Sequence, residues 1–137
     1  MTFQVRHKVR FAHCDPAGIV FFPRYFEMIN ATVEDWFAEV VQFDFNQMHQ
    51  LEGVGVPTAN LQTDFRAPSR LGDILVFSLR PVRLGRSSLE LGIDAHCGDE
   101  LRLRNRSTLV YVDMTTGRPI SWPERLRQCF QNDLSEE

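Results

Sequence analysis

The stretch Phe11-Ala12-His13-Cys14-Asp15-Pro16-Ala17-Gly18-Ile19-Val20-Phe21-Phe22-Pro23-Arg24-Tyr25-Phe26 is where the chain changes its period. Before it, Phe3, Val5, Val9 and Phe11 fall on one side and Gln4, Arg6, Lys8 and Arg10 on the other, so residues 3–11 read as a half-buried strand. His7 falls on the apolar side and reads as a core histidine. His13 to Gly18 is a cluster of turn formers that ends the strand. Pro23 then stands where a first helical turn tolerates proline. Phe22, Phe26, Ile29, Val33, Trp36, Phe37 and Val40 follow at helical spacing, which predicts a helix over 23–40. At about 18 residues it is roughly 27 Å long, enough to cross a small sheet.

Beyond it, residues 43–57 read as an irregular connection with a short helical turn. Four strand patterns follow, over 59–66, 74–82, 88–96 and 101–112. Pro81 marks an edge or a bulge in the second. Gly98-Asp99-Glu100 makes a tight turn between the last two. Ser121-Trp122-Pro123-Glu124 reads as a capping box opening a short helix to about Phe130, with a frayed tail over 133–137. Short connections favour antiparallel pairing. The fold class is therefore α+β: a five-stranded antiparallel sheet with one long helix over one face. The other face must be polar or covered by a second copy.

Composition narrows the function classes. Residues 1–137 form one domain by length, with 43% hydrophobic and 24% charged residues. No apolar run suits a membrane span, and the alternating N-terminus is unlike a secretion signal. A net charge of −3 gives no basic surplus for nucleic acid. Three cysteines without a CxxC pair fit a reduced cytoplasm and neither a disulfide framework nor a zinc site. His7, His13, His49 and His96 lack metal spacing, so no metal is expected. Of 15 basic residues only Lys8 is lysine, and 11 of the aromatics are Phe.

Chemistry concentrates around Asp15. A carboxylate before a helix start can act as base or nucleophile on a carbonyl held by free backbone N–H groups. Gly18 lets backbone approach a ligand closely. Asp-Pro in a turn is also a common Asx arrangement, and the residues alone favour that structural role. His13-Cys14-Asp15 imitates a nucleophilic trio, but consecutive side chains point apart.

The string from Cys14 to Tyr25, ahead of one long helix and four strands, resembles the 4-hydroxybenzoyl-CoA thioesterase family of the hotdog fold, in which a sheet wraps a central helix. The resemblance implies hydrolysis of an acyl-CoA with an aromatic or short acyl group to free acid and coenzyme A. It makes Asp15 the catalytic nucleophile or general base, and the Phe22 N–H the group polarising the carbonyl. Gly18, Pro23 and Tyr25 complete the substrate side of the motif. Arg86 and Ser88, in the turn Arg83 to Ser88, match residues that meet the nucleotide phosphates. Related hotdog thioesterases place Tyr and His at positions that are Phe11 and Phe22 here, which implies a drier site. Glu27 holds a position from which other hotdog enzymes supply a carboxylate. The row Arg102, Arg104 and Arg106 reads as a solvated strand face balanced by acids. Implied with the family are a homodimer or tetramer of dimers, an acyl-CoA substrate, no cofactor beyond that coenzyme A, and a cytoplasmic location. A non-catalytic acyl-CoA binding or scaffold protein, and a hotdog hydratase using His13, are the rival readings.

Overall fold

The computed structural model describes residues 2–135. Strand β1 (Phe3–Lys8) is shorter than its alternation. Its pairing with β4 (Ile74–Leu84) runs out at Lys8 opposite Ile74. Val9 still exchanges backbone bonds with Gly72 and Asp73. The next residue turns away, because the Arg10 N–H donates to His13 Nδ1 at 2.8 Å and the Arg10 carbonyl accepts the His13 N–H. A single 3₁₀ turn, Phe11–His13, results. Phe11, expected on the core face, is instead 83% exposed.

Helix α1 (Pro23–Trp36) continues through a wider turn, Phe37–Val41, and stops at Gln42 in the left-handed region. Arg125 closes this end by donating to the Val41 carbonyl at 3.0 Å, the favourable sign of charge for a helix C-terminus. Tyr25, Met28, Ile29, Thr32, Val33 and Trp36 are buried, whereas Phe22 and Val40 of the expected stripe are exposed. A further helical turn lies at Gln47–Leu51 within the expected connection.

The main sheet follows the order β1-β4-β5-β6-β3, with every neighbour antiparallel. Its other members are β3 (Thr58–Phe65), β5 (Ser88–Cys97) and β6 (Glu100–Val110). Short strands β2 (Val54–Gly55) and β7 (Val112–Asp113) pair separately. Gly98, at φ +58°, opens the two-residue β5–β6 turn, as expected from its sequence. The register slips between Pro81 and Arg83, so the bulge expected at Pro81 forms, beyond the reach of β1.

Leu75, Phe77, Leu79, Leu89, Leu91, Ile93, Ala95 and Leu103 are fully buried on the inner face, in one cluster with the apolar side of α1. This is the hotdog arrangement expected from the sequence. The outer face is polar: Arg104 lies 3.4 Å from Asp94, and Arg106 3.7 Å from Glu90. Arg104 and Arg106 form the balanced, solvated face expected there, whereas Arg102 departs from it, with a side chain only 12% exposed and bonded to Asp73.

Helix α2 (Glu124–Ser135) is longer than expected, and residues 136–137 of the expected frayed tail lie outside the described residues. Its Phe130 stacks on Trp36 at 5.7 Å and meets Trp122 edge-on at 4.9 Å, closing the far end of the core. Ser121 does not act as the expected cap. Its hydroxyl accepts a bond from Arg86 Nη1 at 2.6 Å, and the first helical carbonyl bonded is that of Pro123, by the Arg127 N–H.

Candidate active site

The turn after β1 is built from backbone bonds. The Asp15 N–H donates to the Ile19 carbonyl at 2.9 Å, and the Gly18 N–H to the Asp15 carbonyl at 2.9 Å. Cys14 bridges Val20, and the Phe21 N–H returns to the His13 carbonyl. Asp15 thus sits half-buried at the head of a small loop whose return leg is Ile19–Val20. One carboxylate oxygen accepts the Ala17 N–H at 2.9 Å, the Asx turn its sequence suggests. No cation among the described residues pairs with it. Gly18 is needed for its φ of +82°, and a Cβ there would meet nothing within 4 Å. Its glycine therefore sets backbone shape, with open space beside it.

Helix α1 starts immediately after this loop. The Arg24 N–H donates to the Phe21 carbonyl and the Tyr25 N–H to the Phe22 carbonyl, while Pro23 has no N–H to place. The Phe22 N–H has no acceptor among the described residues. An unpaired donor at the positive end of a helix suits an oxygen that gains negative charge.

Beside this donor lies a cavity of ≈ 570 Å³ walled by Ile19, Val20, Phe22 and Tyr25 on one side and by Phe65, Arg66, Ala67 and Pro68 on the other. The rings form a continuous surface. Phe65 meets Phe22 at 6.1 Å, Tyr25 at 5.6 Å and Phe26 at 6.4 Å. Phe22 is 56% and Phe65 48% exposed, large aromatic area left open in a monomer.

The second wall is held by Arg102. Its guanidinium Nη1 reaches the Pro68 carbonyl at 3.1 Å, Ser69 Oγ at 3.1 Å and Asp73 Oδ2 at 2.8 Å. Bonding to Arg102 pulls the Asp73 carboxyl below its ordinary pKa. Ser69 is fully buried, and its carbonyl accepts the Val20 N–H. The two walls are therefore tied to one another below the cavity.

Phe22 and Tyr25 line the cavity, Pro23 lies between them, and Asp15 and Gly18 occupy the loop leading into Ile19. Arg86 and Ser88 lie elsewhere, at the opposite end of β4. Its 11 residues span roughly 36 Å. One copy of the chain does not bring them to Asp15. Arg86 bonds Ser121, and the Ser88 carbonyl accepts Trp122 Nε1 at 3.0 Å. Glu27 is exposed and pairs with Arg24 at 2.9 Å. His13 spends its Nδ1 on Arg10, and neither His13 nor Glu27 lines the cavity. His7 is a core histidine as expected, with Nε2 3.1 Å from Thr32 Oγ1 and its ring edge-on to Phe77. Because the Thr32 hydroxyl donates to the Met28 carbonyl, its oxygen accepts from the His7 Nε2–H. Burial lowers the His7 pKa, against the opposing pull of Asp35.

Sequence reading missed Phe65 to Pro68. Their signal was present in the proline break just past a strand, but nothing local linked it to the Asp15 loop.

Among the described residues no helix is long and apolar enough to cross a membrane. A profile of the thioesterase-like superfamily matches residues 9–130. A 1,4-dihydroxy-2-naphthoyl-CoA hydrolase from Prochlorococcus marinus (strain MIT 9313) is 28% identical over 136 residues, covering 93% of this chain and 88% of that protein. Among solved structures, a thioesterase superfamily member from Jannaschia sp. CCS1 superposes with a TM-score of 0.90 at 22% identity, over 97% of this chain and 93% of that one. A 1,4-dihydroxy-2-naphthoyl-CoA thioesterase from Synechocystis gives 0.84 at 20% identity, over 96% and 97%.

Proposed function

Because this chain belongs to the thioesterase-like superfamily, we propose that it hydrolyses an aromatic acyl-CoA to the free acid and coenzyme A. The observation that carries the reading is the unpaired N–H of Phe22, a residue that lines an apolar cavity and follows the Asp15 loop directly. A bicyclic acyl group of the dihydroxynaphthoyl kind fits the open rings of Phe22 and Phe65. Relatives named for that substrate favour it within the aromatic or short acyl groups that the family resemblance implies.

The thioester carbonyl oxygen takes the Phe22 N–H, and the dipole of α1 adds about half a positive charge behind it. One such donor contributes about 10²–10³ in rate when charge develops on the oxygen. Asp15 then acts in one of two ways. As nucleophile, its carboxylate oxygen bonds to the carbonyl carbon, the C–S bond breaks, and water cleaves the resulting anhydride. As general base, it takes a proton from the water that attacks. In both, the leaving group is a thiolate, which, with a pKa of about 8.5 for a simple thiol, departs without obligatory protonation. The chemistry needs no cofactor, since coenzyme A is part of the substrate.

Further parts of the reading concern assembly. A cavity of ≈ 570 Å³ suits the acyl group, so the nucleotide lies outside it. The edge strand β3 is exposed along nearly its whole length, with Leu61 and Phe65 about half exposed. Such an edge is a template for a second copy. We place the site of a homodimer, or a tetramer of dimers, along it, with Arg86 and Ser88 of another copy meeting the phosphates. Three free cysteines agree with a cytoplasmic location.

Thiol release measured over benzoyl-, 4-hydroxybenzoyl-, naphthoyl-, phenylacetyl- and aliphatic acyl-CoAs tests the reading. Turnover should be greatest with the aromatic thioesters. Tight binding with no thiol release from any of them would assign the chain to acyl-CoA binding instead.

A further inference from the structure

The cavity is apolar over Ile19, Val20, Phe22, Phe65 and Pro68, yet one charged side chain, Arg66, lines it. Backbone geometry puts it there. The N–H groups of Arg66 and Ala67 both donate to the Arg102 carbonyl, at 2.9 and 3.3 Å, so β3 ends in a kink. In a regular strand, residues 65 and 66 would point to opposite faces. Here both reach the same space.

Three other arginines of the chain are engaged. Arg102 holds Asp73, Arg104 faces Asp94, and Arg24 pairs with Glu27. Arg66, which is exposed, has no side-chain acceptor among the described residues. A second residue of the lining carries an unspent donor. Tyr25 is 4% exposed and lines the cavity, and its hydroxyl makes no hydrogen bond to a described residue. An apolar cavity with two unspent donors at its rim is built to take a flat apolar body carrying an oxygen at its edge. A guanidinium suits that edge, because it donates in its own plane while lying against aromatic rings.

We propose that Arg66 is a specificity-determining residue, which reads an acidic oxygen on the acyl ring, with the Tyr25 hydroxyl as second donor. This rests on the thioesterase reading above and names its substrate class as hydroxylated aromatic acyl-CoAs. A guanidinium gains a charge-assisted bond only from the thioester that carries the oxygen, and such bonds are stronger than neutral ones.

The test uses the full chain and a matched pair of thioesters, 1-hydroxy-2-naphthoyl-CoA and 2-naphthoyl-CoA. Wild type should favour the hydroxylated thioester by about tenfold to a hundredfold in kcat/KM. Arg66→Met keeps the apolar stem and should lose most of that preference, with 2-naphthoyl-CoA turnover within threefold of wild type, roughly the scatter of a surface change. Arg66→Lys should restore part of it, and Tyr25→Phe should reduce it by a smaller factor. Inhibition by free coenzyme A should not change. Equal losses on both thioesters, or weaker inhibition by coenzyme A in Arg66→Met, would overturn the proposal, the latter assigning Arg66 to the nucleotide phosphates. If wild type cleaves neither thioester, the thioesterase reading fails separately. Calorimetric binding of 1-hydroxy-2-naphthoate against 2-naphthoate then still decides Arg66: equal affinities, or a preference that survives Arg66→Met, would overturn it.

Discussion

Arg102→Met cuts the tie under the second wall while keeping most of the buried stem. The Arg102 side chain is 12% exposed and its Nη1 serves the carboxylate of Asp73, whose side chain is 28% exposed, at 2.8 Å. That charge-assisted bond is worth about 1.5–2 kcal/mol at this burial. The longer bonds to the Pro68 carbonyl and Ser69 Oγ share the same nitrogen and add about 0.5–1 kcal/mol together. Glu100, 2.6 Å from Nε, is 60% exposed and contributes little. The sum is about 2–3 kcal/mol. For a chain of this size, at about 3–5 °C per kcal/mol, Tm should fall by roughly 6–15 °C. A double-mutant cycle with Asp73→Asn isolates the pair. Denaturant unfolding should give a coupling of about 1–2 kcal/mol, so the double variant loses less than the two singles combined. Because bonding to Arg102 lowers the Asp73 pKa, the folded state binds its proton less readily than the unfolded one. The pair's contribution is therefore complete above the ordinary carboxylate range near pH 4, and is lost as pH falls through the lower folded value. Arg102→Met should also loosen the 66–70 segment, raising KM more than it lowers kcat. Additive losses, with coupling under about 0.3 kcal/mol, would refute the claim that this pair fixes the wall.

His7 gives a second pH handle with its own sign. Burial lowers its folded pKa below 6.5, so the unfolded chain takes up the proton first, and stability should drop as pH falls below about 6.5. His7→Gln keeps a donor for Thr32, and its unfolding free energy should be flatter between pH 7 and pH 5; an unchanged slope would place the titration elsewhere. Gly18→Ala should cost about 1–2 kcal/mol, because alanine is forced to a positive φ without meeting a neighbour. KM for the preferred acyl-CoA should stay within twofold to threefold in that variant; a tenfold rise would show that ligand, and not φ, requires the glycine.

The helix start and the turn before it were legible because their causes are local. Pro23 fixes its own φ, and Asp15 makes its Asx bond to Ala17 two residues on. The outer arginine row was legible for a similar reason, since strand alternation puts Arg104 and Arg106 on the face that carries Asp94 and Glu90. Phe11 was not. Its place in the alternation is correct, but β1 runs out of partner at Ile74, and a three-residue hydrogen bond from Arg10 to His13 outweighs the pattern. Ser121 failed likewise: a capping sequence yielded to Arg86, 35 positions away. Phe65 to Pro68 became a cavity wall only through the β3–β6 pairing and the Arg102 tie, contacts between segments far apart in the chain. The separation of Arg86 from Asp15 is a property of sheet length, visible once the turn between β4 and β5 is set at the end opposite the Asp15 loop.

The central claim is that Asp15 supplies the reacting carboxylate. The direct measurement is thiol release by Asp15→Asn from the best aromatic acyl-CoA, with circular dichroism and sedimentation confirming an unchanged fold and assembly. Asparagine keeps the oxygen that accepts the Ala17 N–H, so the loop should survive. The account predicts a fall in kcat of roughly two to four orders of magnitude with substrate binding retained. Turnover within tenfold of wild type would contradict it.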